Sequence, residues 1–328
     1  MKLKSSRSTA RKLLALSASV VVLAACSSTG GRSESDGAAA STPRMTVAMV
    51  THAPPGDAFW DLIRKGAQAA ADKDNIELRY SSDPQAPNQA NLIQSAIDSG
   101  VDGIAVTFAK PEAMAPAVKA AVAADIPIVA FNSGIGNWQD LDALAYFGQD
   151  ERLAGKTAGQ RFSDEGVKHV LCVIHEQGTV GLEERCAGVK EGFAGTTEVV
   201  NVNGTDMPSV QATVTAKLQQ DPSIDAVITL GAAYAVTVAD SLKTAGSSAR
   251  IATFDTDGAL VDAIKDGTVE FAVDQQPYLQ GYLAIDALWL YRNNRNIIGG
   301  GLPVLTGPSF VDKSNVDSIA ELAQAGTR

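Results

Sequence analysis

An internal duplication at a constant offset of 123 residues constrains this chain most. Val47-Ala48-Met49-Val50 falls on Val170-Leu171-Cys172-Val173, His52 on His175, Asp102 on Asp225, and Phe131-Asn132 on Phe254-Asp255. Agreement held through four strand-like segments predicts two copies of one unit, and hence two similar lobes. Inside each copy, short β-branched runs alternate with helical stretches. Residues 46–50, 76–80, 103–106 and 128–131 read as strands in the first copy, and 170–174, 199–202, 226–230 and 251–254 in the second. Between them Leu62, Ile63, Gly66, Ala67 and Ala70 have the spacing of one helix face, and Pro111 opens a helix over 112–123. Strand–helix alternation builds a parallel sheet covered on both faces. The expected fold is therefore α/β, with two similar lobes, each a parallel sheet flanked by helices.

The start of the chain is a targeting segment. Lys2, Lys4, Arg7, Arg11 and Lys12 precede an apolar run over 13–25, too short to span a bilayer as a mature helix. The run ends Leu23-Ala24-Ala25-Cys26, which resembles the lipobox of bacterial lipoproteins. That likeness implies a signal peptide over 1–25, lipidation of Cys26, and anchoring to the outer face of the cell membrane. Residues 26–43 are rich in Ser, Gly, Ala and Thr, a composition expected of a flexible tether. The chain has a net charge of −10, and loss of the basic leader makes the mature protein more acidic still. Nucleic acid binding needs Lys and Arg to displace counterions, so no nucleic acid partner is expected. Cys172 and Cys186 remain once Cys26 is used. An even pair in an exported protein points to a disulfide, worth about 3 kcal/mol for a loop of roughly 15 residues. The competing reading is two buried free thiols.

Ligands of open parallel sheets sit beyond the carboxyl ends of the strands, so two lobes with those edges facing each other enclose a cleft. After the first strand come His52 and then Asp57-Ala58-Phe59-Trp60. Aromatics are only 5% of the chain, which makes an adjacent pair in a strand-end loop informative. Aromatic faces stack on the C–H surfaces of sugars, and carboxylates accept their hydroxyl hydrogen bonds. Trp138 is a further aromatic candidate, whereas Trp289 lies in a long apolar helix and reads as core. Asn132 and Asp255, at equivalent places in the two copies, should face the cleft from opposite sides. The alternative for both is local turn-making. His175-Glu176 ends the second copy's first strand, and Arg185 offers a planar fork of donors. An ion pair with Glu183 or Glu184 is the competing role for Arg185.

From 44 to about 311 the chain resembles the type I periplasmic sugar-binding proteins, the ribose-binding-like group. Asp57-Ala58-Phe59-Trp60 stands at that family's Asn-Pro-aromatic-aromatic segment, Arg185-Cys186-Ala187-Gly188 at its Arg-x-x-Gly helix start, and Thr253-Phe254-Asp255 at its Gly-Phe-Asp strand end. Gln275, ahead of Pro277, fits the glutamine of its second crossover. The resemblance implies three crossings, near Gln149, near 274–276 and around 306–308, which act as a three-segment hinge. It places an N-terminal lobe at 44–148 plus 276–305 and a C-terminal lobe at 149–275 plus 306–328. It also implies a monomer without cofactors that hands a sugar to an ABC permease, or presents it to a chemosensor or kinase.

Two departures bear on the ligand. The Asp-Arg that clamps ring oxygen and anomeric hydroxyl in ribose binders is Asn132-Ser133 here, and Gly231-Ala232 replaces an Asn-Asp. A short sugar alcohol or small monosaccharide is therefore expected rather than ribose. Catalysis is not expected: the chain has no G-x-S-x-G elbow, P-loop or H-E-x-x-H spacing, and His52, His169 and His175 show no metal-ligand pairing within a helix. A sugar-responsive repressor shares this core but begins with a helix-turn-helix, where this chain has an export signal.

Overall fold

The computed structural model describes residues 42–328; the leader, Cys26 and nearly all of the tether lie outside the described residues. The apolar, β-branched runs form strands, and the central strands are buried on both faces because helices cover each sheet from both sides. The first unit runs β1 (Met45–Thr51), α1 (Ala58–Lys73), β2 (Ile76–Ser82), α2 (Ala86–Asp98), β3 (Gly103–Val106), α3 (Pro111–Ala123), β4 (Ile128–Asn132) and β5 (Tyr146–Gln149). The second runs α4 (Glu151–Asp164), β6 (His169–Ile174), α5 (Val180–Gly192), β7 (Thr196–Asn201), α6 (Met207–Gln220), β8 (Ala226–Thr229), α7 (Ala232–Ala245), β9 (Arg250–Phe254), α8 (Gly258–Asp266) and β10 (Phe271–Asp274). The chain closes with α9 (Pro277–Asn294), β11 (Val304–Gly307), β12 (Ser309–Asp312) and α10 (Ala320–Ala325).

The strands form two six-stranded sheets, ordered β11-β5-β4-β3-β1-β2 and β12-β10-β9-β8-β6-β7. The chain thus passes between sheets after β5, after β10 and after β11. All neighbours are parallel except β12, which runs antiparallel to β10.

The duplication is visible in hydrogen-bond register. Ala48 pairs with Ile104 and Leu171 with Val227, while Ile104 pairs with Ile128 and Val227 with Ile251. Each of these pairs maps on the other by the 123-residue offset. Asp102 and Asp225 are also structurally equivalent, since each carboxylate accepts from the backbone N–H of a neighbouring strand, that of Thr46 in one unit and of His169 in the other. The offset fails at one strand. Ile76 opens β2, but β7 opens at Thr196 rather than 199, because α5 is three residues shorter than α1. Agreement therefore extends over three strands of the four.

Helices α1 and α9 pack backbone to backbone on the first sheet. A methyl group added at Gly281 would fall on the carbonyl oxygen of Ile63, and one at Gly66 on that of Tyr278. Backbone cannot yield as a side-chain tip does, so the helices would have to separate. Gly281→Ala is expected to cost about 3 kcal/mol by overpacking, read as a lower denaturation midpoint at unchanged m. In the second unit Cys172 of β6 and Cys186 of α5 are joined in a disulfide with Cα atoms 5.9 Å apart. It fastens helix to sheet within the apolar cluster of Phe162, Val189, Phe254 and Phe271.

Candidate functional site

The carboxyl ends of β1, β4, β6 and β9 face one cavity of about 760 Å³ between the two sheets. Its floor is set by a backbone feature common to both repeats. Asn132, ending β4, has φ 64° and Asp255, just past β9, has φ 66°. Asn and Asp are the non-glycine residues that enter this left-handed region most readily. Both line the cavity and both are buried. Turn-making and cleft-lining are thus one role here, because the left-handed residue is the one that meets the cavity.

A continuous polar network joins these two residues across the chain crossings. Asn132 donates through Nδ2 to Gln275 Oε1 at 3.4 Å and to Gln280 Oε1 at 3.2 Å, and Gln275 Nε2 donates to Asp255 Oδ1 at 2.6 Å. Arg185 Nη1 lies 3.6 Å from Asp255 Oδ2 and donates to the Leu230 carbonyl at 2.9 Å. Its firmest bonds go to Glu151: Nε to Oε2 at 2.6 Å and Nη2 to Oε1 at 3.0 Å. Gln149 Nε2 donates to Glu151 Oε2 at 2.7 Å. The guanidinium lies over the Phe254 ring, 4.5 Å from its centre.

Arg185, Glu151 and Asp255 are 4, 5 and 6% exposed, so their charges act with little screening from water. Burial opposes the Arg185 charge, yet the carboxylates of Glu151 and Asp255 outweigh it and hold the guanidinium above its ordinary value. Burial raises the Asp255 carboxyl to about 7, with attraction to Arg185 and the Gln275 hydrogen bond offsetting only part of the shift. One guanidinium shared by two carboxylates cannot fully compensate both.

Two histidines from equivalent strand ends form the walls. His52 Nδ1 lies 2.7 Å from Thr107 Oγ1, and its ring meets Trp60 edge-on at 4.7 Å. His175 stacks on Tyr234 with centroids 4.1 Å apart. Burial lowers His52 to about 4 and His175 to about 3, so both are neutral near pH 7 and can donate or accept. Asp57 and Asp257 cap α1 and α8 from opposite sides of the cavity, each accepting from a backbone N–H of its own helix. At the mouth Lys110 Nζ is 3.3 Å from Glu176 Oε1, and Val180 N–H donates to the Ala109 carbonyl at 3.1 Å.

Of the residues singled out in the sequence, His52, Asp57, Phe59, Trp60, Asn132, His175, Glu176, Arg185, Asp255 and Gln275 all line this cavity. Trp138 does not. It is buried with Phe108, Met114 and Tyr146 on the far face of the first sheet, so its aromatic surface is consumed by packing. The expected ion-pair alternative for Arg185 named the wrong glutamates: its partner is Glu151, whereas Glu184 pairs with Arg152.

Glu151, Tyr234 and Thr179 also line the cavity, and none of them stands out in the sequence. Glu151 follows β5, whose four residues Tyr-Phe-Gly-Gln contain a glycine and no β-branched residue, so the β-branched pattern that marks the other strands is missing and nothing marks its carboxyl end. Tyr234 lies in the first turn of α7, two residues past Gly231-Ala232. Extending each strand end through the first helical turn would reach it.

The model for the periplasmic binding protein domain matches residues 47–296. The chain is similar to the crystal structure of a carbohydrate transporter from Acidothermus cellulolyticus 11B in complex with myo-inositol. The two are 56% identical with a TM-score of 0.86, over 87% of this chain and 100% of that one. It is 26% identical over 290 residues to the D-ribose/D-allose-binding protein of Pseudomonas aeruginosa, covering 82% of this chain and 87% of that protein. It is also 27% identical over 260 residues to the xylose/arabinose-binding protein XylF of Sulfolobus acidocaldarius. That match covers 74% of this chain but spans only 64% of the length of the Sulfolobus protein. No helix among the described residues is long and apolar enough to cross a membrane. With the family model over most of its length and the two-sheet architecture in place, the chain belongs to the periplasmic binding protein family, in its type I sugar-binding group.

Proposed function

We propose that this protein is the solute-binding component of an ABC importer and takes a small neutral polyol, with a cyclitol such as myo-inositol as the first candidate. The observation that carries this reading is the buried Asn132–Gln275–Asp255–Arg185–Glu151 network on the cavity floor. It presents carboxylate and amide acceptors and the remaining Nη1–H of Arg185 at fixed positions, the equipment for reading adjacent hydroxyls. Asn132-Ser133 replaces the charged pair that resembling ribose binders direct at ring oxygen and anomeric hydroxyl. A cyclitol has neither feature. The relative bound to myo-inositol supports the same class. His52 with Trp60 on one side and His175 with Tyr234 on the other present flat, uncharged walls to the C–H faces of a ring.

Three crossings between sheets are few enough to act as a hinge. A ligand touching Asn132 and Asp255 together draws the lobes closed, with Lys110–Glu176 sealing the mouth. Export through residues 1–25 and anchoring through lipidated Cys26 complete the reading, and both rest on the sequence.

Thermal-shift screening of polyols against aldoses tests the ligand class. Stabilisation by myo-inositol or another polyol is expected, and stabilisation by ribose alone would sink the proposal. A pH series tests the chemistry. Asp255 must be ionised to accept two hydroxyl hydrogen bonds, and its value near 7 keeps it largely protonated in mild acid. Polyol affinity is therefore expected to weaken about tenfold per pH unit from about 7 down to 5, with a proton released on binding. Neither histidine titrates in that window. Affinity that is flat from pH 5 to 8 by calorimetry would contradict it.

A further inference from the structure

The floor of the cleft carries one cation between two buried carboxylates, and the carboxylate that holds it most firmly is the one no ligand-binding motif points to. Glu151 takes two of the guanidinium bonds of Arg185, at 2.6 and 3.0 Å, whereas Asp255 stands at 3.6 Å. An arginine buried at a ligand site ordinarily attracts carboxylates and phosphates bidentately. Here the Nε–Nη2 edge of the fork that would receive such a group is already occupied. The charged neighbours do not restore the balance. Lys110 is committed to Glu176 at the mouth, and Asp274 behind Asp255 is matched by Arg328 at 2.7 Å. Above the floor, the helix caps Asp57 and Asp257 add further carboxyl groups on the cavity wall.

We propose that Glu151 is a specificity-determining residue: by occupying the guanidinium edge of Arg185 it makes the cleft accept neutral polyols and reject sugar acids. The inference rests on the polyol-binding reading above and extends it. Rejection works through two physical terms. An incoming carboxylate finds the planar edge blocked, and it must approach Glu151 and Asp255 in a site from which water is largely excluded. A neutral hydroxyl meets neither obstacle, since it can donate to Asp255 and accept from the remaining Nη1–H. Specificity of this kind is built from a repulsive element and not from an added attraction. Glu151 also stands at the first residue of α4, immediately past the crossing at Gln149, and Gln149 Nε2 fixes its free lone pair. Its carboxylate is thereby oriented independently of any ligand.

The test compares glucose with glucuronate, which share a ring and differ by a carboxylate in place of a hydroxymethyl group, so that stereochemistry cancels. Calorimetric or thermal-shift titrations of the full protein are run with both sugars and with myo-inositol, on wild type, Glu151→Gln and Glu151→Asp. The Gln variant is expected to raise the glucuronate-to-glucose affinity ratio at least about tenfold, the ratio being the readout whatever happens to the affinity for any one ligand. The Asp variant, which keeps the charge, is expected to reject glucuronate as wild type does. An unchanged ratio in Glu151→Gln, or a parallel loss of all three ligands as a merely misplaced arginine would give, overturns the assignment. Glucuronate binding to wild type at least as tight as glucose overturns it as well. If wild type binds no neutral polyol or sugar at all, the polyol reading itself fails, and the inference with it.

Discussion

Asp255→Asn is expected to weaken polyol binding by roughly two orders of magnitude while leaving the fold intact. Asn retains the left-handed backbone conformation at φ 66° and still offers one acceptor to Gln275, so the turn past β9 is preserved. What disappears is the anion. Hydrogen bonds to a charged acceptor are worth about 1.5–3 kcal/mol each, and losing the charge of one that serves two hydroxyls costs about 3 kcal/mol of binding. The stability of the unliganded protein should move the other way. A carboxyl whose folded-state value is raised takes up a proton on folding, so its contribution to stability is fully present below the unfolded value near 4 and is lost as pH rises through about 7. Asp255→Asn should therefore melt higher than wild type at pH 8, with the difference vanishing towards pH 4. Calorimetric titration and thermal melts of one preparation read both effects. A variant that binds as wild type does removes Asp255 from the site.

Arg185→Met should show the opposite pattern. Met fills much of the same volume over the Phe254 ring, but it strands Glu151 and Asp255 without their cation in a site almost closed to solvent. Breaking a buried pair by removing one partner costs about 3–5 kcal/mol, because the remaining charge keeps its desolvation penalty. At about 2–4 °C per kcal/mol for a protein of this size, the melting temperature should fall by roughly 10 °C. The penalty shrinks in acid, where the stranded Asp255 carboxyl becomes neutral, so the gap between Arg185→Met and wild type should narrow from pH 8 to pH 5. Binding should be lost along with the stability. A melting temperature within about 2 °C of wild type at pH 8 would show that the two carboxylates are solvated after all.

The opposite signs of these two variants follow from one feature, an acidic floor with a single cation. That feature is only half legible in the sequence. The duplicated Asn132 and Asp255 stand out because strand-end residues at equal offsets must face a shared cleft, and both adopt the same φ. Arg185 is legible from its helix start, yet its partner is not. Glu151 follows a strand too short and too glycine-bearing to announce itself, and pairing across 34 residues leaves no periodic trace. The strands β10, β11 and β12 lie beyond the last segment matched by the duplication, so the offset does not mark them. Trp138 fails for a different reason. Aromatic scarcity marks a residue as worth inspecting, but only packing decides whether its surface goes to a core or to a ligand, and here Phe108 and Met114 claim it. The register of β1, β3 and β4 on β6, β8 and β9 is readable because buried central strands cannot slip without turning apolar side chains outward. The edge strands β2 and β7 have exposed positions and tolerate the shift.

A crystal structure of the protein grown with myo-inositol tests the central claim most directly. One molecule is expected between the two sheets, its hydroxyls within about 3.2 Å of Asn132, Asp255 and Nη1 of Arg185. A cleft left unoccupied at saturating ligand, or a molecule held on an outer face away from these three residues, would contradict it.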